Sequence, residues 1–356
     1  MKAISKMLAV ALGSISTALP AHAIPDRSEV IQLAASLVKV QAFDENNKTF
    51  FGTGVAIAPN KVVTSCHVTR HSAQIVVVHR NGTHHVSGQA ADIDHDLCVL
   101  DVPGLAAPAL QIGASQDLRV GQPVWAMGFE GGAGLQFRTG FVRALHKFDG
   151  AWVIESTTAF TSGSSGGALM DDHGQLVGLL TYRLRGDRRS YFSIPMDWLS
   201  RKAAGPQSLP AVLPVREGVA FWQRGAEDLP YFLRAHRLVI ESNWPALVDL
   251  TDAWLLMDAT NAEAWWYRGA GLEMLVRGDA AADAYKQALV MEPGFIPALL
   301  SLGRLFVELG DMKAAQRILA LLSAIDIELG TCLSHRITHE AQAPPGETLN
   351  EACFSL

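Results

Sequence analysis

A chain of 356 residues is long enough for two ordinary domains. At 49% hydrophobic and 18% charged residues it can bury full cores, which excludes disorder as its default state. Its formal net charge of −6 gives no electrostatic reason to expect nucleic-acid binding.

The first 23 residues, MKAISKMLAVALGSISTALPAHA, place Lys2 and Lys6 ahead of an apolar stretch from Met7 to Leu19, then Ala21-His22-Ala23. This is the pattern of a secretory signal peptide, with charged, apolar and small-x-small regions in order. The apolar stretch is too short to span a bilayer as a mature helix. The expected mature protein starts near Ile24 and is periplasmic or secreted, with no membrane span.

Residues 24–202 form the expected β half, read as short strands and turns from about Ser28 to Ile194. FFGTGVAIAPNKVVTSCHV is two apolar runs joined by Pro59-Asn60, a hairpin signal. DLCVLDV, PVWAMGF, TGFVRAL and AWVIES follow as further short strands, with GFEGGAG (residues 128–134) as a loop. TSGSSGGAL, Thr161 to Leu169, has the composition of a flexible spacer. It runs straight into GGALMDDHGQLVGLL, however, a predicted hairpin turning at Asp171-Asp172-His173-Gly174. Glycines that open a tight hairpin have backbone work to do. RLRGDRRS, residues 183–190, reads as a solvated hairpin tip; beside a substrate groove, its four arginines would favour acidic substrate stretches.

Residues 203–218, AAGPQSLPAVLPVREG, hold three prolines and two glycines and read as a linker. Beyond it, residues 219–330 change to Ala/Leu-rich runs with helical spacing, followed by a tail at 331–356. Gly269 and Gly303 are 34 residues apart, as are Ala264 and Ala298, and Asp258, Glu292 and Asp326 keep the same interval. Each unit reads as helix, turn, helix, with a more divergent one near 228–260. The period resembles the tetratricopeptide repeat. Stacked helical hairpins make a concave binding surface and carry no chemistry of their own, so a protein partner or an extended substrate segment is the expected ligand of this half.

A serine hydroxyl is a poor nucleophile without a neighbouring base, and that base needs an orienting group. KVVTSCHVT places His67 directly after a buried-looking strand, and DIDHDLCVLDV offers Asp92, Asp94, Asp96 and Asp101, with Asp96 at the head of an apolar run. Together with YFSIP, the segments GTGVAIAPNKVVTSCHVT, DLCVLDV, VWAMGF…TGFV and GSSGGALMDDHGQLVGL resemble the trypsin-like, chymotrypsin-fold serine proteases, nearest their bacterial HtrA-like branch. The resemblance runs from roughly Gly52 to Trp198. It implies a pair of six-stranded β-barrels with the active site between them, ahead of an all-α repeat domain.

By the same resemblance His67 is the general base, Asp96 its orienting acid and Ser165 the nucleophile, with Ser162 and Ser164 as bystanders. The Gly163 and Ser165 amides form the oxyanion hole. Ala159, Thr181 and Tyr182 line the substrate site, and without a carboxylate at 159 the residue before the scissile bond is expected to be small or medium and apolar. No cofactor and no metal are implied. Ser164 departs from the Asp or Asn usual before the nucleophile, and the helical repeats replace the PDZ module usual in HtrA-like proteins.

Other readings fit less well. Gly163-Ser164-Ser165-Gly166-Gly167 also fits the nucleophile elbow of α/β-hydrolases, but that fold needs a helix after the serine and its acid and histidine downstream. A metal site at His67 and His71, or at His84, His85 and His95, lacks the Glu that a zincin helix carries after its first His, since Val68 stands there. A catalytically inactive repeat scaffold is the alternative function. Because His67 and Asp96 must touch, Cys66 and Cys98 are expected near each other, as a disulfide or as two buried thiols; Cys332 and Cys353 are expected to pair within the tail.

Overall fold

The computed structural model describes residues 25–132, 134–184, 190–199, 204–325, 330, 331, 333 and 334. The expected signal peptide, residues 185–189 of the arginine-rich tip and the Cys332–Cys353 pair lie outside these.

A short helix, α1 (Arg27–Ala34), opens the described chain, and the Asp26 carboxylate caps it by accepting the Glu29 N–H. Strand grammar therefore begins later than Ser28. Seven strands then form one antiparallel sheet: β1 (Leu37–Phe43), β2 (Thr49–Ala58), β3 (Lys61–Ser65), β4 (Gln74–His79), β5 (Gly82–His85), β6 (Gly88–Asp92) and β7 (Leu97–Asp101). Their order is β5-β4-β1-β2-β3-β7-β6. The next six, β8 (Pro123–Phe129), β9 (Leu135–Phe148), β10 (Ala151–Ser156), β11 (Ala168–Asp171), β12 (Leu176–Leu184) and β13 (Ser190–Pro195), close into a barrel ordered β10-β13-β12-β11-β8-β9.

The hairpin signals in the sequence fall where the chain turns. Asn60 takes φ 60° between β2 and β3, and Gly174 takes φ 73° between β11 and β12. The run TGFVRAL is the middle of one 14-residue strand, β9, rather than a separate short one.

Among the described residues the second half holds three helical pairs: Tyr231–Ile240 with Trp244–Met257, Ala262–Met274 with Gly278–Met291, and Ile296–Glu308 with Met312–Ile325. The 34-residue recurrence of glycine has a packing cause. A Cβ on Gly269 would stand 2.5 Å from the Tyr285 ring, and one on Gly303 would crowd Ile318 and Leu333, so each glycine lets the paired helix approach. Among the described residues no helix is long and apolar enough to cross a membrane.

The two halves share one hydrophobic core. Buried Met170, Phe192 and Met196 of the barrel side pack in the same cluster as Phe221, Phe232, Leu247 and Trp254 of the helical side. Residues 204–220 carry no long element, yet they are tied down to the first sheet. Lys61 Nζ donates to the Gln207 carbonyl, Leu209 N–H to Asp101, Gln89 N–H to the Pro210 carbonyl and Val215 N–H to the Arg70 carbonyl. The Arg70 guanidinium donates to the Glu217 and Gly218 carbonyls. Proline removes donors but leaves carbonyls, and this Pro-rich stretch, which reads as a spacer, is held down by four of its carbonyls and two of its N–H groups.

Candidate active site

β3 is buried along its whole length and delivers the chain into a single-turn helix, α2 (Cys66–Thr69), that carries His67. Asp96 stands just before β7 in a left-handed turn with φ 60°, 1% exposed. Its Oδ1 accepts the His67 backbone N–H and its Oδ2 lies against His67 Nδ1, both at 2.7 Å. An ionised carboxylate only accepts, so Nδ1 carries the ring proton and Nε2 is left as a base. The Asp96 carbonyl accepts the Cys66 N–H at 3.0 Å, fixing the two turns to each other a second time.

Cys66 and Cys98 form a disulfide, with Cα atoms 4.9 Å apart. β3 pairs with β7 so that Thr64 faces Cys98, which brings Cys66, the residue after β3, over the start of β7. Strand register makes this contact, since Asp96 itself lies outside the strand.

The Ser165 loop is pressed onto β2 and β3, two residues short of His67. Thr53 N–H donates to the Ser165 carbonyl at 2.8 Å and its Oγ1 to the Gly163 carbonyl at 2.9 Å, while Phe129 N–H donates back to that Oγ1. Gly166 adopts φ 80°, and a Cβ there would run into Thr53 O, Thr64 Oγ1 and Ser65 N. Gly163 adopts φ 97°. Both positions thus require a residue without a side chain.

The loop's amides sort into two groups. Ser164 N–H donates to the Thr161 carbonyl, Gly166 N–H to that of Leu180 and Gly167 N–H to that of Ser164. Among the described residues, Gly163 N–H and Ser165 N–H have no acceptor. Across the planar trans peptide, the Ser162 carbonyl is held by Gly131 N–H at 2.7 Å, which turns the Gly163 N–H the other way. These are the two donors an oxyanion hole would leave open.

Thr181 and Tyr182 lie on β12, both buried; Thr181 Oγ1 donates to the Leu179 carbonyl. β12 pairs with β11 only as far as Leu179, so its edge from Thr181 onward has no strand partner on the side of the Ser165 loop among the described residues. Ala159 is exposed, next to buried Phe160, whose carbonyl accepts from Arg183.

One neighbour was not legible. Trp222, from the turn Phe221–Gln223 ahead of the repeats, stacks on Tyr182 with ring centroids 5.0 Å apart and meets the His67 ring edge-on at 5.5 Å. The sequence offered only an aromatic pair in AFWQRG after the presumed linker. Thr53, inside GTG, was equally silent.

Among the described residues, the histidines weighed for a metal site beside His67 form no cluster of three potential ligands. His84 and His85 sit on β5, His71 follows α2, and His95 bridges Asp92 and Asp149 while stacking on Trp198. Among the described residues the grouping with three potential metal ligands is Asp171, Asp172 and His173. There the Asp171 carboxylate already accepts the His173 and Gln175 N–H groups of the hairpin turn.

With this geometry in view, each half can be set beside known proteins. Residues 52–179 match the trypsin-like peptidase domain and residues 277–326 match the tetratricopeptide repeat, so the resemblance read from the motifs holds in both halves. Of particular proteins, the chain is similar to Serine protease Rv3671c of Mycobacterium tuberculosis, 26% identical over 178 residues, covering 47% of this chain and 45% of that protein. It is also similar to the probable periplasmic serine endoprotease DegP-like of Halomonas elongata, 30% identical over 155 residues, covering 41% of this chain and 33% of that one. Among solved structures, the active form of Rv3671c protease from M. tuberculosis aligns with a TM-score of 0.48 at 23% identity, covering 55% of this chain and 94% of that chain. The chain spans less than half the length of the two curated relatives.

Proposed function

We propose that the protein is a serine endopeptidase in which Ser165 Oγ attacks a peptide carbonyl while His67 Nε2 takes its proton. Asp96 holds the imidazole with Nδ1 protonated and stabilises the imidazolium that forms. The Gly163 and Ser165 amides receive the negative charge on the carbonyl oxygen, and water hydrolyses the resulting acyl-enzyme. The observation that carries this reading is the pairing of an oriented His67–Asp96 couple with a loop whose open amides are those of Gly163 and Ser165.

The substrate chain is expected to run along the open edge of β12 at Thr181 and Tyr182, with a small or medium apolar residue directed to Ala159. A bacterial relative named as periplasmic and the N-terminal leader pattern support export to the periplasm or beyond. The repeats supply a protein-binding surface for a partner or for a substrate segment remote from the cleaved bond.

A fluorophosphonate probe is the direct test. Ser165 is expected to label covalently in the full chain, and Ser165→Ala and His67→Ala are each expected to lose proteolysis, on the order of 10⁶-fold where such a triad works as a unit. A chain that folds but neither labels nor cleaves is the inactive scaffold instead.

A further inference from the structure

Trp222 comes from outside the trypsin-like domain match, 43 residues past its last matched position, yet it lies against the candidate base. Its position is enforced from both sides. Phe221 before it is fully buried among Phe148, Tyr182 and Trp198, and its N–H donates to the Asp94 carbonyl at 2.8 Å. Arg224 after it pairs with the Asp94 carboxylate. Asp94 in turn sits two residues from Asp96, so the turn that carries Trp222 is anchored to the same loop as the orienting acid. The indole continues a stack of rings, Trp222 on Tyr182 on Phe192, whose spacings are 5.0 and 4.7 Å.

The indole therefore fills ground that a bound peptide needs. A peptide pairing with the open edge of β12 is extended, and successive side chains of an extended chain point to opposite faces. If the residue before the scissile bond turns toward Ala159, the one preceding it turns the other way, onto the face where the rings of His67, Tyr182 and Trp222 meet. Little room is left there for a large side chain. The Trp222 Nε1–H is buried and has no acceptor among the described residues.

We infer that Trp222 is a specificity-determining residue of the candidate active site, restricting the substrate residue that packs beside the His67 ring to small side chains. This inference rests on the protease reading above and adds a residue that the peptidase domain itself does not contain.

The test uses the full chain and quenched peptides that are identical except at the second residue before the scissile bond, set to Gly, Ala, Leu or Phe. The wild-type protein is expected to favour Gly and Ala. Trp222→Ala is expected to raise kcat/KM for the Leu and Phe peptides relative to the Gly peptide by about tenfold or more, the usual scale for relieving a misfit in an apolar pocket. Trp222→Phe keeps much of the bulk and is expected to retain the restriction.

Fluorophosphonate labelling of each variant reports whether the site is assembled, independently of peptide preference. Variants that label normally with an unchanged Gly-to-Leu ratio would overturn the inference while leaving the protease reading intact. So would a uniform rise for all four peptides, which would make Trp222 a plug rather than a wall. Wild-type protein that fails to label would overturn the protease reading and this inference with it.

Discussion

Asp96 is asked to do two things with two oxygens. Oδ1 accepts the backbone N–H of His67 and Oδ2 the ring Nδ1–H, so the carboxylate fixes where the histidine is and which nitrogen is the base. Asp96→Asn separates these roles. The amide oxygen can still accept the backbone N–H, but the NH2 then faces Nδ1 and forces the proton onto Nε2. The variant is expected to fold with unchanged Tm and to lose about 10⁴-fold in kcat, the loss seen when a triad histidine is held in the wrong tautomer. Stopped-assay kinetics beside a thermal melt checks both halves of that statement. Neither oxygen's partner is visible in the sequence, which supplies only Asp96 at the head of an apolar run, with Asp92, Asp94 and Asp101 close by.

At the scale of elements, the strap of residues 204–220 and the turn at Phe221 matter most. Phe221 is fully buried although it belongs to no strand of the barrel it completes. Phe221→Ala is expected to cost about 3–5 kcal/mol, as large-to-small substitutions of buried rings do. In a Ser165→Ala background, which prevents self-digestion, this reads as a lowered denaturation midpoint. If instead the midpoint stays put, the turn is not part of the core.

This is also where sequence legibility ends. The Pro59-Asn60 and Gly174 hairpins, the glycine loop and the 34-residue repeat all depend on residues close in the chain or on a strict period, and each falls where expected. The strap, by contrast, is made of single hydrogen bonds to groups such as Asp101, Arg70 and Gln89, more than a hundred residues away. Composition reports proline and glycine, not where their carbonyls will find donors. Trp222 was hidden for the same reason: its neighbours Tyr182 and His67 are far off in sequence, and its local signal was a pair of aromatics at a composition boundary.

For the whole molecule, the contact that couples the two halves is ionic as well as apolar. His146, on β9, lies fully inside, stacked on Phe232, with Nδ1 2.5 Å from Glu263 of the second helical pair and Nε2 3.3 Å from Glu155 of β10. Burial opposes a charge on His146, but the Glu263 and Glu155 carboxylates outweigh it and hold its pKa at about 9. Burial likewise opposes charge on Glu155, and the bond to His146, with His236 nearby, outweighs it and pulls the pKa down to about 2. His236 is pushed down by burial, so the cluster carries its positive charge on His146 and Arg143.

The signs then fix a window. A raised histidine stabilises fully below its unfolded value near 6.5 and loses that contribution as pH rises through about 9. A lowered carboxylate stabilises fully above its unfolded value near 4.5 and loses that contribution as pH falls through about 2. The junction is therefore expected to be strongest between about pH 4.5 and 6.5 and to weaken on either side. Thermal melts across pH 3 to 10 should trace that optimum, and His146→Gln should flatten the alkaline side; an alkaline limb unchanged in the variant would assign the loss to other groups.

The burial of Phe221 and Phe232 in the core shared with the barrel also sets an order in time. A chain is made from its N-terminus, so His67, Asp96 and Ser165 emerge before either ring that closes their support. A nascent segment ending near residue 203 holds every member of the candidate triad while Tyr182, Phe192 and Met196 still face water. On the proposed mechanism, catalytic competence is thus expected late in the life of the polypeptide, once the first helical pair has been synthesised and has docked. Arrested chains of increasing length are expected to remain blind to a fluorophosphonate until that pair is free to fold.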